Sequence, residues 1–184
     1  IIFVIVFVTI CVAIVQFSKH NLEEAKKNLQ ETQEKYGWVE KESVDVLVAK
    51  FNTQVMDNDS SSLNPASTDY LTESNNEYWY GLIEGVYLVV VPEKYTGDKT
   101  TETVNYTLLY VDKTSKYESD AISYIKYLIK ANNSEITDSE IDTLLEDAKT
   151  KINSGKTANN GKGISIGYTE KDEAYQYQVL RLYK

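Results

Sequence analysis

The first 17 residues are apolar almost without interruption; Thr9 and Gln16 are the exceptions, and none of the 17 is charged. An apolar helix needs roughly 20 residues to cross a hydrocarbon core of about 30 Å. In lipid, a helix or a closed barrel is also what satisfies every backbone N–H and C=O. The run 1–17 therefore predicts a transmembrane anchor, with the lipid bilayer as its partner. Residues 18–37 carry a narrower stripe of Leu22, Ala25, Leu29 and Tyr36, with Glu23 and Lys27, then Glu31 and Lys35, at i,i+4 spacing. This predicts a juxtamembrane helix or short stalk that Gly37 stops. Residues 38–184 are then the head.

Within the head the period of the apolar positions changes three times. Val44, Leu47, Val48, Phe51 and Val55 repeat at helical spacing behind Ser43, a suitable N-cap, and predict a helix over 43–56. Residues 57–76 are polar; Asn64 and Pro65 would open a short helix there, with Pro in the first turn. From residue 78 the pattern becomes that of strands. Residues 78–83 and 86–91 flank a turn at Glu84 and Gly85. The second of these strands is apolar on both parities, as a central strand covered on both sides would be. Residues 103–111 alternate, with Val104, Tyr106, Leu108 and Tyr110 on one face.

Two helices follow. Ala121, Ile122, Ile125, Leu128 and Ile129 make a stripe over 119–131. Thr137 and Glu140 then form a capping box that Ile136 and Ile141 can close as a hydrophobic staple. Ile141, Leu144, Leu145, Ala148 and Ile152 line one face of the resulting helix, 137–153. The chain closes with strands 164–168 and 175–183 around Lys171 and Asp172. The apolar face of the last strand switches near Val179, which predicts a bulge or a second packing partner. Strands and helices in separate blocks predict an α+β fold, with a mainly antiparallel sheet of about five strands covered by amphipathic helices.

Charge narrows the partners. The net charge is −9, and residues 57–120 hold four Lys against twelve Asp or Glu. Nucleic-acid binding needs clustered Lys and Arg, so nucleic acid is excluded, and close docking of the head on anionic lipid is disfavoured. Cys11, the one cysteine, lies in the apolar run, so the head forms no disulfide. The richness in Asn, Lys and Tyr points to an AT-rich coding genome, hence a bacterial envelope protein.

The catalytic inventory is thin. His20 is the single histidine and follows the anchor directly. Ser–His–Asp, Cys–His and zinc chemistry all need more than that. A carboxylate pair, distant in sequence, is the enzymatic option left open. Ser154, Gly155, Lys156 and Thr157 match the end of a phosphate-binding loop, but Thr150 stands where its first Gly belongs. Asp57, Asp59 and Ser61 match the start of a calcium loop, with Ser62 and Thr68 in place of the required Gly and Glu. The reading is therefore no enzyme, no metal and no cofactor. Asn58, Asn105 and Asn132 lie in N-x-S/T sequons, relevant only in a eukaryotic secretory path.

What remains is aromatic. Of 15 Tyr, most fall on the strands and on 117–127. Tyr78, Trp79, Tyr80 and Tyr87 are expected to form a platform for an envelope protein or glycan. The competing reading makes them a half-buried sheet face, since Tyr is a good strand former. The expectation is a single-pass, extracytoplasmic binding, sensing or protein-interaction module. An N-terminal apolar helix running into an α+β head also resembles the architecture of pilins, although Ile5 stands where pilins carry Glu. That resemblance implies a structural subunit with an assembly helix.

Overall fold

The computed structural model describes residues 39–59 and 63–181, together with Glu23, Glu24, Lys27 and Glu31. The chain divides into two compact units, residues 1–35 and 36–184. In the first, the four described residues are helical, and Lys27 lies 3.7 Å from Glu31. The expected anchor 1–17, His20 and the rest of the stalk lie outside the described residues. Among the described residues, no helix is long and apolar enough to cross a membrane.

The second unit is α+β. Helix α1 (Val44–Asp59) precedes strands β1 (Leu71–Ser74), β2 (Glu77–Ile83), β3 (Val86–Pro92) and β4 (Val104–Asp112). Helices α2 (Glu118–Asn132) and α3 (Asp138–Thr150) follow, then β5 (Ala158–Asn159), β6 (Ile164–Glu170) and β7 (Ala174–Arg181). The seven strands make one sheet in the order β1-β2-β3-β4-β7-β6-β5, and every pairing is antiparallel. Helix α2 lies against β4 and β7, α1 packs on α2, and α3 lies against β5 and β6.

One strand parity supplies the core. Tyr78 and Tyr80 of β2, Leu88 and Val90 of β3, Leu109 and Val111 of β4, and Tyr177 and Val179 of β7 are buried with the inner faces of the helices. Val44, Leu47, Phe51 and Val55 come from α1, and Ile141, Leu144, Leu145 and Ala148 from α3. The Phe51 and Tyr124 rings meet at 6.1 Å. The α3 cap forms as its spacing predicts: the Thr137 hydroxyl accepts from Glu140 N–H, and the Glu140 carboxylate accepts from Thr137 N–H at 2.8 Å. Ile136 and Ile141 are both buried beneath it.

The structure corrects several expectations. The sheet has seven strands rather than about five, because β1 and β5 are short and carry little apolar signal. β1 is held by a two-residue turn in which Asn75 and Asn76 both have positive φ, 54° and 63°, the geometry that Asn tolerates in tight hairpins. Asn64 and Pro65 open no helix. The Asn64 N–H is bonded to the Tyr124 hydroxyl, and Ala66 exchanges two hydrogen bonds with the Asn52 amide, so α1 and α2 hold this stretch extended. A short 3-10 turn forms later, over Thr68–Tyr70. Helix α3 ends before Ile152, which is exposed, as Asn153 and Gly155 take positive φ. The last strand has no bulge: its register with β4 and β6 runs unbroken through Val179, and Leu180 lies on the opposite sheet face beside Tyr106. Asn132 is buried, its amide donating to Leu128 O, and offers no surface for modification.

Candidate binding face of the sheet

Successive side chains of a strand point to opposite faces, so the sheet has a second side whose residues are outside the core cluster. Register fixes its rows. Trp79, Val89, Leu108, Gln178 and Gly167 form one, and Gly81, Tyr87, Tyr110, Gln176 and Thr169 the next. Val91, Tyr106, Leu180 and Ser165 form a third.

The centre of this face is a three-ring cluster. Trp79 lies 6.1 Å from Tyr87 and 5.7 Å from Tyr110, and Tyr87 lies 6.1 Å from Tyr110, with planes inclined by 59° to 65°. The two pairs that include Tyr87 are edge-to-face, with the positive edge of one ring against the negative face of another, and the Trp79–Tyr110 pair is tilted. The rings cover Val89, which is fully buried although it lies outside the helix-side core. The ring residues stay half-exposed themselves, Tyr87 at 37%. Tyr70, 70% exposed, extends the row: a Cβ on Gly81 would sit 3.5 Å from the Tyr70 Cβ.

The four residues expected to form one platform are split by strand alternation. Tyr78 and Tyr80 are buried on the helix side. The Tyr78 hydroxyl donates to Glu102 at 2.5 Å, and burial pushes both phenols up from their ordinary range. Trp79 and Tyr87 stay together on the open side. Their third partner, Tyr110, was not among the four. The 104–110 alternation already placed it on a face with Tyr106 and Leu108, and only the β3–β4 register was needed to set it beside Tyr87. The central strand is therefore covered by helices on one side and by aromatic rings on the other.

Charge on this face is sparse and negative. Its charged strand positions are Glu77 and Asp112; none of its described strand positions is Lys or Arg. The Trp79 indole N–H donates to Glu77 at 3.0 Å. Asp112 accepts from the Thr114 N–H and hydroxyl, each at 2.8 Å, and these bonds hold its carboxyl below the usual range. The turn beside it needs glycine: Gly85 has φ +76°, and a Cβ there would lie 2.9 Å from the Ser115 Cβ.

The other candidates resolve into structure. A cleft of about 770 Å³ lies between α1 and the end of α2. Its cations are engaged: Lys50 with Glu42, Lys130 with Asp138, and Lys162 with Glu140. Ser154 to Thr157 follow a helix and precede a two-residue strand, not a phosphate cradle. Among the described residues no three His, Cys, Asp or Glu gather as a metal site. No family model, no curated protein and no solved structure matches the chain.

Proposed function

We propose that the chain is a single-pass, extracytoplasmic protein of the cell envelope whose α+β head binds another envelope component through the open face of its sheet. The observation that carries the binding surface is the contiguous, half-exposed cluster of Trp79, Tyr87 and Tyr110 on the face opposite the helices. Trp and Tyr are the residues most enriched in binding hot spots, and an apolar patch of this kind marks an interaction surface more often than an inert one. The apolar run 1–17 supports the anchor, and the acidic head supports its exposure away from anionic lipid.

The test is retention of the purified head, residues 36–184, on isolated envelopes, because the apolar run 1–17 would hold the full chain there by itself. Trp79→Ala should abolish retention while the variant still folds and unfolds cooperatively, its melting temperature lowered by about the few degrees that a partly buried ring is worth. Equal retention by the two proteins would remove the face from the binding reading. Protease added to intact cells should digest residues 18–184, and full protection of the head would overturn the topology.

A further inference from the structure

We propose that the open face receives an extended, arginine-bearing segment of a partner protein. The proposal rests on the reading of this face as the binding surface and names the chemistry of what it binds. Three observations lead there.

The first is the rings. The face of a Trp or Tyr ring attracts a cation within about 6 Å of its centre. Two rings elsewhere in the head have such a cation of their own: Lys99 lies 5.4 Å from the Tyr78 ring centre and Lys116 lies 5.0 Å from that of Tyr117. Among the described residues, no Lys or Arg lies over Trp79, Tyr87 or Tyr110. The rings pack on one another at 5.7–6.1 Å, so a cation has to lie on an outward ring face and not between rings. There a guanidinium can lie flat on a ring and still present its N–H fork to a carboxylate, which a point-like ammonium cannot.

The second is the charge. Glu77 and Asp112 stand at opposite ends of the face without a basic neighbour among its described strand positions. The Glu77 carboxylate accepts one bond from Trp79 and has lone pairs for more. Carboxylates beside aromatic rings are the complement of a basic ligand, not of an acidic or neutral one.

The third is length. Glu77 lies at the level of Val91 and Tyr106, and Asp112 lies six residues further along β4. At about 3.3 Å per residue the face is about 20 Å long, and its two carboxylates lie two strand spacings, about 10 Å, apart across it. That is the reach of an extended segment of about seven residues, whose alternate side chains would point at the rings.

The experiment titrates the full chain with synthetic heptapeptides, followed by calorimetry. Odd positions carry Arg or its neutral isostere citrulline, and even positions carry Ser. The arginine peptide should bind at least tenfold more tightly than the citrulline peptide. Trp79→Leu and, separately, the surface variant Glu77→Gln should weaken the arginine peptide by about tenfold and threefold respectively, with both variants folded at the temperature of the titration. Equal binding of both peptides would overturn the cationic partner while leaving the face as a binding surface. Arginine binding indifferent to both variants would reduce the effect to general attraction by an acidic protein and overturn the proposal. So would the absence of binding by either peptide, or Trp79-dependent binding of phosphatidylcholine vesicles alone. Envelope retention that depends on Trp79 would survive every one of these failures, so the two readings fall separately.

Discussion

The two faces of this sheet use the same residues to different ends. On the helix side, tyrosine is core: Tyr78 reaches Glu102, and Tyr124 exchanges bonds with the Asn64 backbone, so these two hydroxyls have partners built for them. On the open side, Tyr87 and Tyr110 pack edge to face and keep part of their surface in water, 37% for Tyr87. The difference teaches that aromatic content alone does not mark a surface. A tyrosine buried under the helices is structural whether or not its hydroxyl finds an acceptor, whereas Tyr87 and Tyr110 leave part of their rings at the surface.

Adjacent residues of β4 put the largest expected effect on this contrast. Leu109 is fully buried under α2, whereas Leu108 is half-exposed on the ring side. Leu109→Ala should cost about 2–5 kcal/mol by chemical denaturation, the range for a buried Leu that leaves a cavity. Leu108→Ala should cost less, about 1–2 kcal/mol, since part of its side chain is already in water and the open side can relax into the gap. Equal costs would mean that the ring side is a second core and not a surface.

Glu102 ranks next. It is 3% exposed, and its carboxylate accepts from Tyr78 and from the N–H groups of Thr96 and Gly97, the last at 2.7 Å. Burial acts to raise this carboxyl, but the three hydrogen bonds outweigh it and the net direction is down. Glu102→Gln should cost about 1.5–3 kcal/mol at neutral pH, the worth of bonds to a charged acceptor. A depressed carboxyl contributes stability that is full above the ordinary glutamate range and lost as pH falls through the lower folded-state value. Glu140 acts in the same sense, drawn down to about 2 by Lys162 and then by the Thr137 N–H and hydroxyl. The wild-type chain should therefore lose stability in acid faster than Glu102→Gln does, and parallel pH profiles for the two would show that this carboxylate is not a source of the acid sensitivity.

Periodicity made the helix side legible. The stripes of α1, α2 and α3 and the Thr137–Glu140 box are local, and each could be read without knowing what it packs on. The open face was less legible because it is assembled by register. Trp79, Tyr87 and Tyr110 come from three strands, and no spacing within one strand reveals that they meet. Reading residues 78–80 as a block also ignored the period of two, which sends Tyr78 and Tyr80 away from Trp79. β1 was hidden for a related reason: its four residues have no apolar pattern, and the signal lay in Asn75 and Asn76 of the turn.

The smallest effects test what the hydroxyls on each face contribute, through one substitution made at three sites. Tyr78→Phe removes a donor from buried Glu102 and should destabilise by about 1–2 kcal/mol. Tyr110→Phe removes a hydroxyl from the open face and should change stability by less than about 0.5 kcal/mol, as surface changes usually do. Tyr175 provides the opposite sign. It is 7% exposed among Tyr168 and Tyr177, and its hydroxyl has no hydrogen-bond partner among the described residues. An unpartnered buried hydroxyl carries a desolvation penalty without compensation, so Tyr175→Phe should raise stability by about 0.5–1 kcal/mol. Denaturant midpoints at fixed slope resolve differences of this size. A loss at Tyr175 would reveal an acceptor for that hydroxyl, and a loss at Tyr110 as large as that at Tyr78 would show that the open face is structured in the same way as the core.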